Sequence, residues 1–368
     1  MLKQCGKNCE NNKPMNRVLY ADLACPNGHV NYNRIMINAL VQVEDVDIVF
    51  FMQEGYAKKI SESLLANKTV YEVPSYKKSH FGPFNRIKYR LHQFQLQNKL
   101  YRLARKEQYE LVFLSSFDIV AFIFFKKLPC KTVAVCHNEI DVAVKKKKTV
   151  LLKIFSRHCN LVSINNSGYC FLSSLGLKAY MIPHGFPQPF EQESVQVCRH
   201  IYIPINGAID WNIVGELLTD GFNDLLKAKN ARLIIKSRDK SLKDQYAHLS
   251  QIDFLVGYID NETYKQKMLG ASIILLPYLK EEYQYRCSAI LMEAIINNKA
   301  VILPNVSVFK EFSLQGDSGL HYYDDINSLV SIIKNYDFEH YNVHYDNVKS
   351  LYSRDAISTC FNALIHEK

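Results

Sequence analysis

Short runs of β-branched and aromatic residues alternate with longer stretches of helical periodicity along almost the whole chain. This is the pattern of parallel strands joined by helical crossovers. It predicts strands at 17–22 (RVLYAD), 47–52, 69–73, 110–115, 131–137, 161–165 and 179–183 in the first half. In the second half it predicts strands at 200–206, 232–237, 252–257, 272–277 and 299–304. Between the halves, HGFPQPFEQESVQ (184–196) carries two prolines and few large aliphatic residues and reads as a linker. At 368 residues the chain is long enough for two domains of roughly 150 residues each. The expected fold is α/β, with two Rossmann-like, doubly wound parallel-sheet domains at 1–189 and 190–368 facing across a cleft, the last helix packing back on the first domain.

The net charge of +9 is concentrated. Residues 77–106 hold Lys77, Lys78, Arg86, Lys88, Arg90, Lys99, Arg102, Arg105 and Lys106 and no acid, so the remaining 36 basic side chains balance the 36 acidic ones. One basic segment on a neutral chain points to one anionic surface, a membrane, rather than to nucleic acid. As a helix, this segment puts Ile87, Leu91, Phe94 and Tyr101 on one face and Leu96, Leu100 and Leu103 on the opposite one. Either one face packs on the domain while the other lies on anionic lipid, or the helix is buried on both sides. The longest apolar run, 111–125, contains Asp118 and is too short to cross a bilayer.

The opening MLKQCGKNCENNKPMNR has no apolar run to act as a secretion signal, so the ten cysteines are expected as reduced thiols in the cytoplasm. No pair of CxxC motifs occurs, and no metal is expected. Asp45 and Asp47 form a DxD pattern that precedes its strand and reads as polar residues leading into it.

Ligands of open parallel sheets bind beyond the carboxyl ends of the strands. The residues there are Gly28, His29 and Asn31, then His137 with Asn138, Asn206 with Gly207, Lys236, Tyr258 after Gly257, and the segment 278–293. In that last segment Ser288 is placed to cap a helix whose first amides, at Ala289 and Ile290, suit a phosphate. Glu293 falls at the edge of the helix's apolar stripe, where its two acceptor oxygens suit sugar hydroxyls; an ordinary solvated glutamate fits the same pattern. Tyr258 suits stacking on a base or a place in the core, and His137 suits either a reacting sugar or a backbone carbonyl.

In order and spacing these elements resemble the GT-B fold glycosyltransferases of the family 4 type: LLPYLKEEYQYRCSAILMEAIINNKAVILP, the passage VSINNSGYCFLSSLGLKAYMIPHGF, and a mid-domain strand ending in His137. The resemblance implies a retaining sugar transfer from a nucleotide diphosphate donor, without a metal or other cofactor, to a lipid-linked or glycan acceptor in bacterial surface polysaccharide synthesis. Together with the basic segment 77–106, it suits a peripheral place on the inner face of the cell membrane. Glu293 matches the second glutamate of the family's Glu, seven residues, Glu motif, which binds ribose; Ser288 and Ala289 match the Ser-Gly at the diphosphate; His137 matches the histidine near the transferred sugar; Gly28, His29 and Asn31 match the glycine loop on the acceptor side. The chain departs from the family in two places. Tyr285 stands where the first glutamate belongs, and NGAIDWN lacks the Arg and Lys pair that neutralises the diphosphate. Arg286 and Lys236 are the available replacements. These departures leave two rivals: a sugar-nucleotide epimerase or inverting transferase on the same fold, and a catalytically silent binding or assembly subunit.

Overall fold

The structure, a computed structural model, describes residues 16–23, 29–60, 62–76, 82–121, 125–145, 149–191, 198–204, 208–340 and 342–367. Gly28, Lys77, Lys78, Lys146 to Lys148, Asn206 and Gly207 lie outside them.

Two parallel sheets organise the chain. The first holds β1 (Asn16–Asp22), β2 (Val46–Gln53), β3 (Thr69–Val73), β4 (Leu111–Ser116), β5 (Lys131–Cys136), β6 (Asn160–Ser163) and β7 (Ala179–Met181), in the order β3-β2-β1-β4-β5-β6-β7. The second holds β8 (Cys198–Ile203), β9 (Arg232–Ser237), β10 (Ile252–Val256), β11 (Ala271–Leu275), β12 (Ala300–Pro304) and β13 (Leu320–Tyr323), in the order β10-β9-β8-β11-β12-β13. The central strands are apolar because helices cover both faces; every residue of β4, β11 and β12 is buried. In each sheet the order reverses beside the first strand of its domain, which opens a crevice at the strands' carboxyl ends.

Strand β13 is not predicted by the sequence pattern. It is a four-residue edge strand, LHYY, largely half-buried and preceded by Gly319 at φ 112°, so neither alternation nor β-branching marks it. Of the lysine run, Lys145 is the last described residue of the helix Glu139–Lys145, and Lys146 to Lys148 lie outside the described residues.

The chain crosses to the second sheet after Met181 and returns at its end. The helix Arg354–His366 packs Ile357, Phe361, Leu364 and Ile365 into the first domain's core, against the helix Val30–Leu40. Further contacts join the domains on the cleft side. The Asp141 carboxylate accepts the amides of Gln284 and Tyr285, both at 3.0 Å. The Asn165 side-chain amide donates to the Tyr285 carbonyl at 2.6 Å. Glu311 caps the helix Asn166–Ser174 from the opposite domain, accepting the amides of Asn166 and Ser167 at 2.7 and 2.6 Å.

Helix Gly82–Lys106 lies between β3 and β4 in the chain. Gln93, Leu96, Gln97, Leu100 and Ala104 are buried, whereas Ile87 and Leu91 are 57% and 58% exposed. The reading in which both faces are buried is thereby overturned. No helix among the described residues is long and apolar enough to cross a membrane.

Candidate functional site

In the first domain the strand ends gather three histidines around one tyrosine. His29 and His137 stack with ring centroids 4.0 Å apart, and Tyr32 meets the edge of His137 at 4.5 Å and His184 at 5.2 Å. Burial lowers the proton affinity of all three imidazoles, most of all at His137, where His29 and His184 add repulsion. His137 Nε2 lies 2.8 Å from the Ser115 carbonyl. A carbonyl only accepts, so the neutral ring donates from Nε2 and keeps a lone pair on Nδ1. His184 is the mirror case: its Nδ1 faces the Gly185 carbonyl at 3.0 Å, leaving Nε2 as the acceptor. The cluster thus offers acceptor nitrogens to hydroxyl-bearing ligands. The buried Tyr32 hydroxyl and His29 Nδ1 have no hydrogen-bond partner among the described residues.

Beneath this cluster, Asp22 accepts from Asn33 and Ser116, both at 2.5 Å, and Asn33 accepts from Tyr20 at 2.6 Å. The helix that follows β1 is therefore anchored by a buried polar network, which fixes His29 and Tyr32 at its start. On the other flank, Glu139 accepts the amides of His137 and Asn138 at 2.7 and 3.0 Å, and burial pushes its carboxyl up to about 7. Asn138 itself is exposed.

In the second domain Ser288 is the N-cap of the helix Ala289–Ile296, its hydroxyl accepting the Leu291 amide at 3.1 Å and paired with the Tyr278 hydroxyl at 2.7 Å. Ala289 is exposed at the helix start and Ile290 is buried; the first-turn amides have no acceptor within the helix. Glu293 accepts from the Tyr264 hydroxyl at 2.5 Å, and burial raises its pKa above the ordinary carboxylate value. Its carboxylate lines a cavity of about 780 Å³ between the domains. Asn261, Tyr264 and Lys265 line the second-domain wall; Asn31, Arg34 and Asn38 line the first-domain wall; Phe186 to Glu191 close the hinge side. The volume is that of a site for a drug-sized ligand, which spans roughly 300–1,000 Å³.

Lys236, Arg286, Tyr285 and Tyr258 are not among the residues lining this cavity. Lys236, on β9, is half-buried, and burial together with Arg238 lowers its pKa. Arg286 bridges to Glu282 at 3.3 Å and lies over the Tyr283 ring at 4.5 Å. Tyr285 turns away from the second domain and packs on Phe171 of the first at 4.7 Å, so it does not stand in for a glutamate facing a sugar. Tyr258 is 90% exposed, which overturns its core reading. Sequence reasoning passed over Tyr32, His184, Tyr264 and Asp141. His184 stood in the quoted IPHGF passage; Tyr264 carries no local signal, because its partner Glu293 is 29 residues on.

These charges set a pH dependence. The histidines' contribution to stability is complete above their ordinary 6.5 and is lost as pH falls through their lower folded values. Asp141, pushed up to about 6 by burial, works oppositely: its contribution is complete below its ordinary 3.8 and lost as pH rises through 6. Between pH 4.5 and 6, Asp141→Asn is therefore expected to steepen acid destabilisation by up to about 1.4 kcal/mol per pH unit, and His184→Asn to flatten it. Melting curves across a pH series check both signs.

No protein family profile matches the sequence, and no curated protein matches it. Solved structures do. The chain is similar to Anabaena Alr3699/HepE in complex with UDP-glucose, at 14% identity and TM-score 0.58 over 95% of this chain and 98% of that one. It is similar to the lipopolysaccharide outer core galactosyltransferase WaaB, at 11% identity and TM-score 0.58 over 95% and 99%. It is also similar to a UDP-GlcNAc 2-epimerase from Neisseria meningitidis bound to UDP-GlcNAc, at 11% identity and TM-score 0.57 over 96% and 100%. At these identities the likeness establishes the fold, which is GT-B, with two Rossmann-like domains.

Proposed function

We propose that the chain is a glycosyltransferase that moves a sugar, with retention, from a nucleotide diphosphate donor to a lipid-linked or glycan acceptor in bacterial surface polysaccharide synthesis. The observation that carries this reading is the placement of Glu293 in the interdomain cavity, on the helix whose capped start is at Ser288. A carboxylate there accepts two ribose hydroxyls, and the free amides of Ala289 and Ile290 meet the diphosphate. Uridine is the first base to try, since the HepE structure holds UDP-glucose and the epimerase structure UDP-GlcNAc. Tyr258, exposed after β10, is the proposed stacking partner for the base.

Across the cleft, His137 takes a hydrogen bond from the donor sugar through Nδ1, with Asn138 beside it, and His29 and Asn31 lie on the acceptor side. Arg286 and Lys236 stabilise the departing diphosphate, whose oxygen accepts the acceptor's proton; catalysis rests on positioning and on this charge stabilisation. No metal or cofactor enters the scheme. The enzyme works as a peripheral protein on the inner face of the membrane, held there by the helix Gly82–Lys106.

The second reading, a sugar-nucleotide epimerase, is favoured by the Neisseria meningitidis likeness and by Tyr285 facing away from the cavity. Nuclear magnetic resonance of the products separates the two. Transfer gives a new glycoside of the donor's anomeric configuration only when acceptor is present; epimerisation changes the sugar without acceptor. Absence of any product with either addition, while nucleotide binds, would favour a silent assembly subunit.

A further inference from the structure

The helix Gly82–Lys106 changes character along one face. Positions 84, 87, 91, 94, 98, 101 and 105 follow steps of three and four and so line up on one side. The first four are Phe84, Ile87, Leu91 and Phe94, exposed by 62%, 57%, 58% and 39%. Further along, the same face opens into a groove of about 510 Å³ lined by Asn98, Tyr101, Arg102, Arg105, Lys106 and Lys126. Lys126 and Arg105 both lie over the Tyr101 ring, at 5.4 and 5.8 Å. The ring thus contacts two cations of the groove.

None of the four cations is ion-paired with a carboxylate among the described residues. The neighbouring acid, Glu107, is engaged elsewhere: it accepts from Arg17, Tyr71 and Tyr109 at 3.1, 2.5 and 2.7 Å. Bringing four cations to one groove with no counter-charge costs electrostatic energy, which an anion in the groove offsets. Two guanidinium groups and two ammonium groups suit phosphate oxygens.

We infer that this groove binds the phosphate of an anionic phospholipid headgroup. The lipid source follows from continuity: the apolar stripe on the same helix face would enter the acyl boundary while the groove takes a headgroup, and a soluble phosphate leaves the stripe without a partner. The inference rests on the membrane placement proposed above and is independent of the sugar-transfer chemistry. It gives the helix two functions, insertion at its start and charge recognition at its end.

The test is co-sedimentation of the full chain with vesicles of phosphatidylcholine alone and of phosphatidylcholine mixed with phosphatidylglycerol. Each charge at such a surface contributes roughly 5-fold in affinity, so Arg102→Gln with Arg105→Gln is expected to bind the anionic vesicles about 30-fold more weakly. Its binding to neutral vesicles is expected to be unchanged. Ile87→Ser with Leu91→Ser is expected to lose both, and Lys240→Gln with Lys243→Gln, an equal charge loss on exposed second-domain residues, is expected to lose neither. Melting curves establish that each variant is folded. The groove assignment is overturned if the first pair binds as the wild type does, or if the second-domain pair weakens equally. Release of the wild type from vesicles by inorganic phosphate would assign the groove to a soluble anion instead. Failure of the wild type to bind either vesicle would overturn the membrane placement itself, a different result from a loss confined to the groove variants.

Discussion

Glu293→Ala is expected to lower kcat/KM for the nucleotide-sugar donor by roughly 10²–10⁴-fold, because it removes two charge-assisted hydrogen bonds of about 1.5–3 kcal/mol each. The effect comes from lost donor binding, so KM carries most of it. Stability moves the other way for the conservative variant. Burial raises the Glu293 pKa, so its ionised form costs stability, and that cost is present once pH has risen through the folded value. Glu293→Gln keeps an acceptor for the Tyr264 hydroxyl, now 2.5 Å from the carboxylate, and carries no charge. Its melting temperature at pH 7 is expected to equal or exceed that of the wild type, while its donor affinity falls. Steady-state kinetics and a melting curve on the two variants separate binding from folding.

His137→Ala is expected to lower kcat by roughly 10²-fold while leaving nucleotide affinity within about 3-fold, since the imidazole acts on the sugar and not on the nucleotide. The pH profile distinguishes this from a packing defect. His137 is neutral well below pH 6.5, so the wild type's kcat keeps its acceptor nitrogen across the neutral range and shows no acid limb from this ring until far lower pH. A variant that merely loosened the His29 stack, 4.0 Å away, would lose melting temperature and kcat together.

Much of the fold is legible because its signals are local. Within RVLYAD and RLIIKS, Val18 to Ala21 and Leu233 to Ile235 are buried, so these stretches are apolar and stand out from the helices between them. Ser288 is readable as a cap for the same reason: its hydroxyl bonds to an amide three residues on. Edge strand β13 lacks such a signal, since half-burial and tyrosines suit many conformations.

The site is less legible because its decisive contacts are long-range. The Asp141 carboxylate meets amides 143 and 144 residues away, which draws the loop carrying Tyr285 onto the first domain. Nothing in the local sequence around Tyr285 states that its ring will pack on Phe171. Alignment by spacing gave Tyr285 the position of the family's first glutamate; tertiary packing placed it in the domain seam. The histidine cluster shows the same division. His137 is visible at the end of its strand, but its tautomer depends on the Ser115 carbonyl of the neighbouring strand. The amphipathic helix Gly82–Lys106 shows its two faces in sequence, and only packing decides which one the domain covers: Leu96 and Leu100 are buried, and Ile87 and Leu91 are left exposed.

The central claim is that the interdomain cavity around Glu293 is a nucleotide diphosphate site. The most direct measurement is a thermal-shift screen of the wild type and Glu293→Ala against UDP, GDP, CMP and dTDP and their common sugar conjugates. A ligand at about 100 times its dissociation constant stabilises by about 2.7 kcal/mol, a shift easily resolved. The account predicts that one base raises the wild-type melting temperature, as its diphosphate and its sugar conjugates, and that Glu293→Ala abolishes the rise. Stabilisation of both proteins to the same extent, or of neither by any nucleotide, would contradict it.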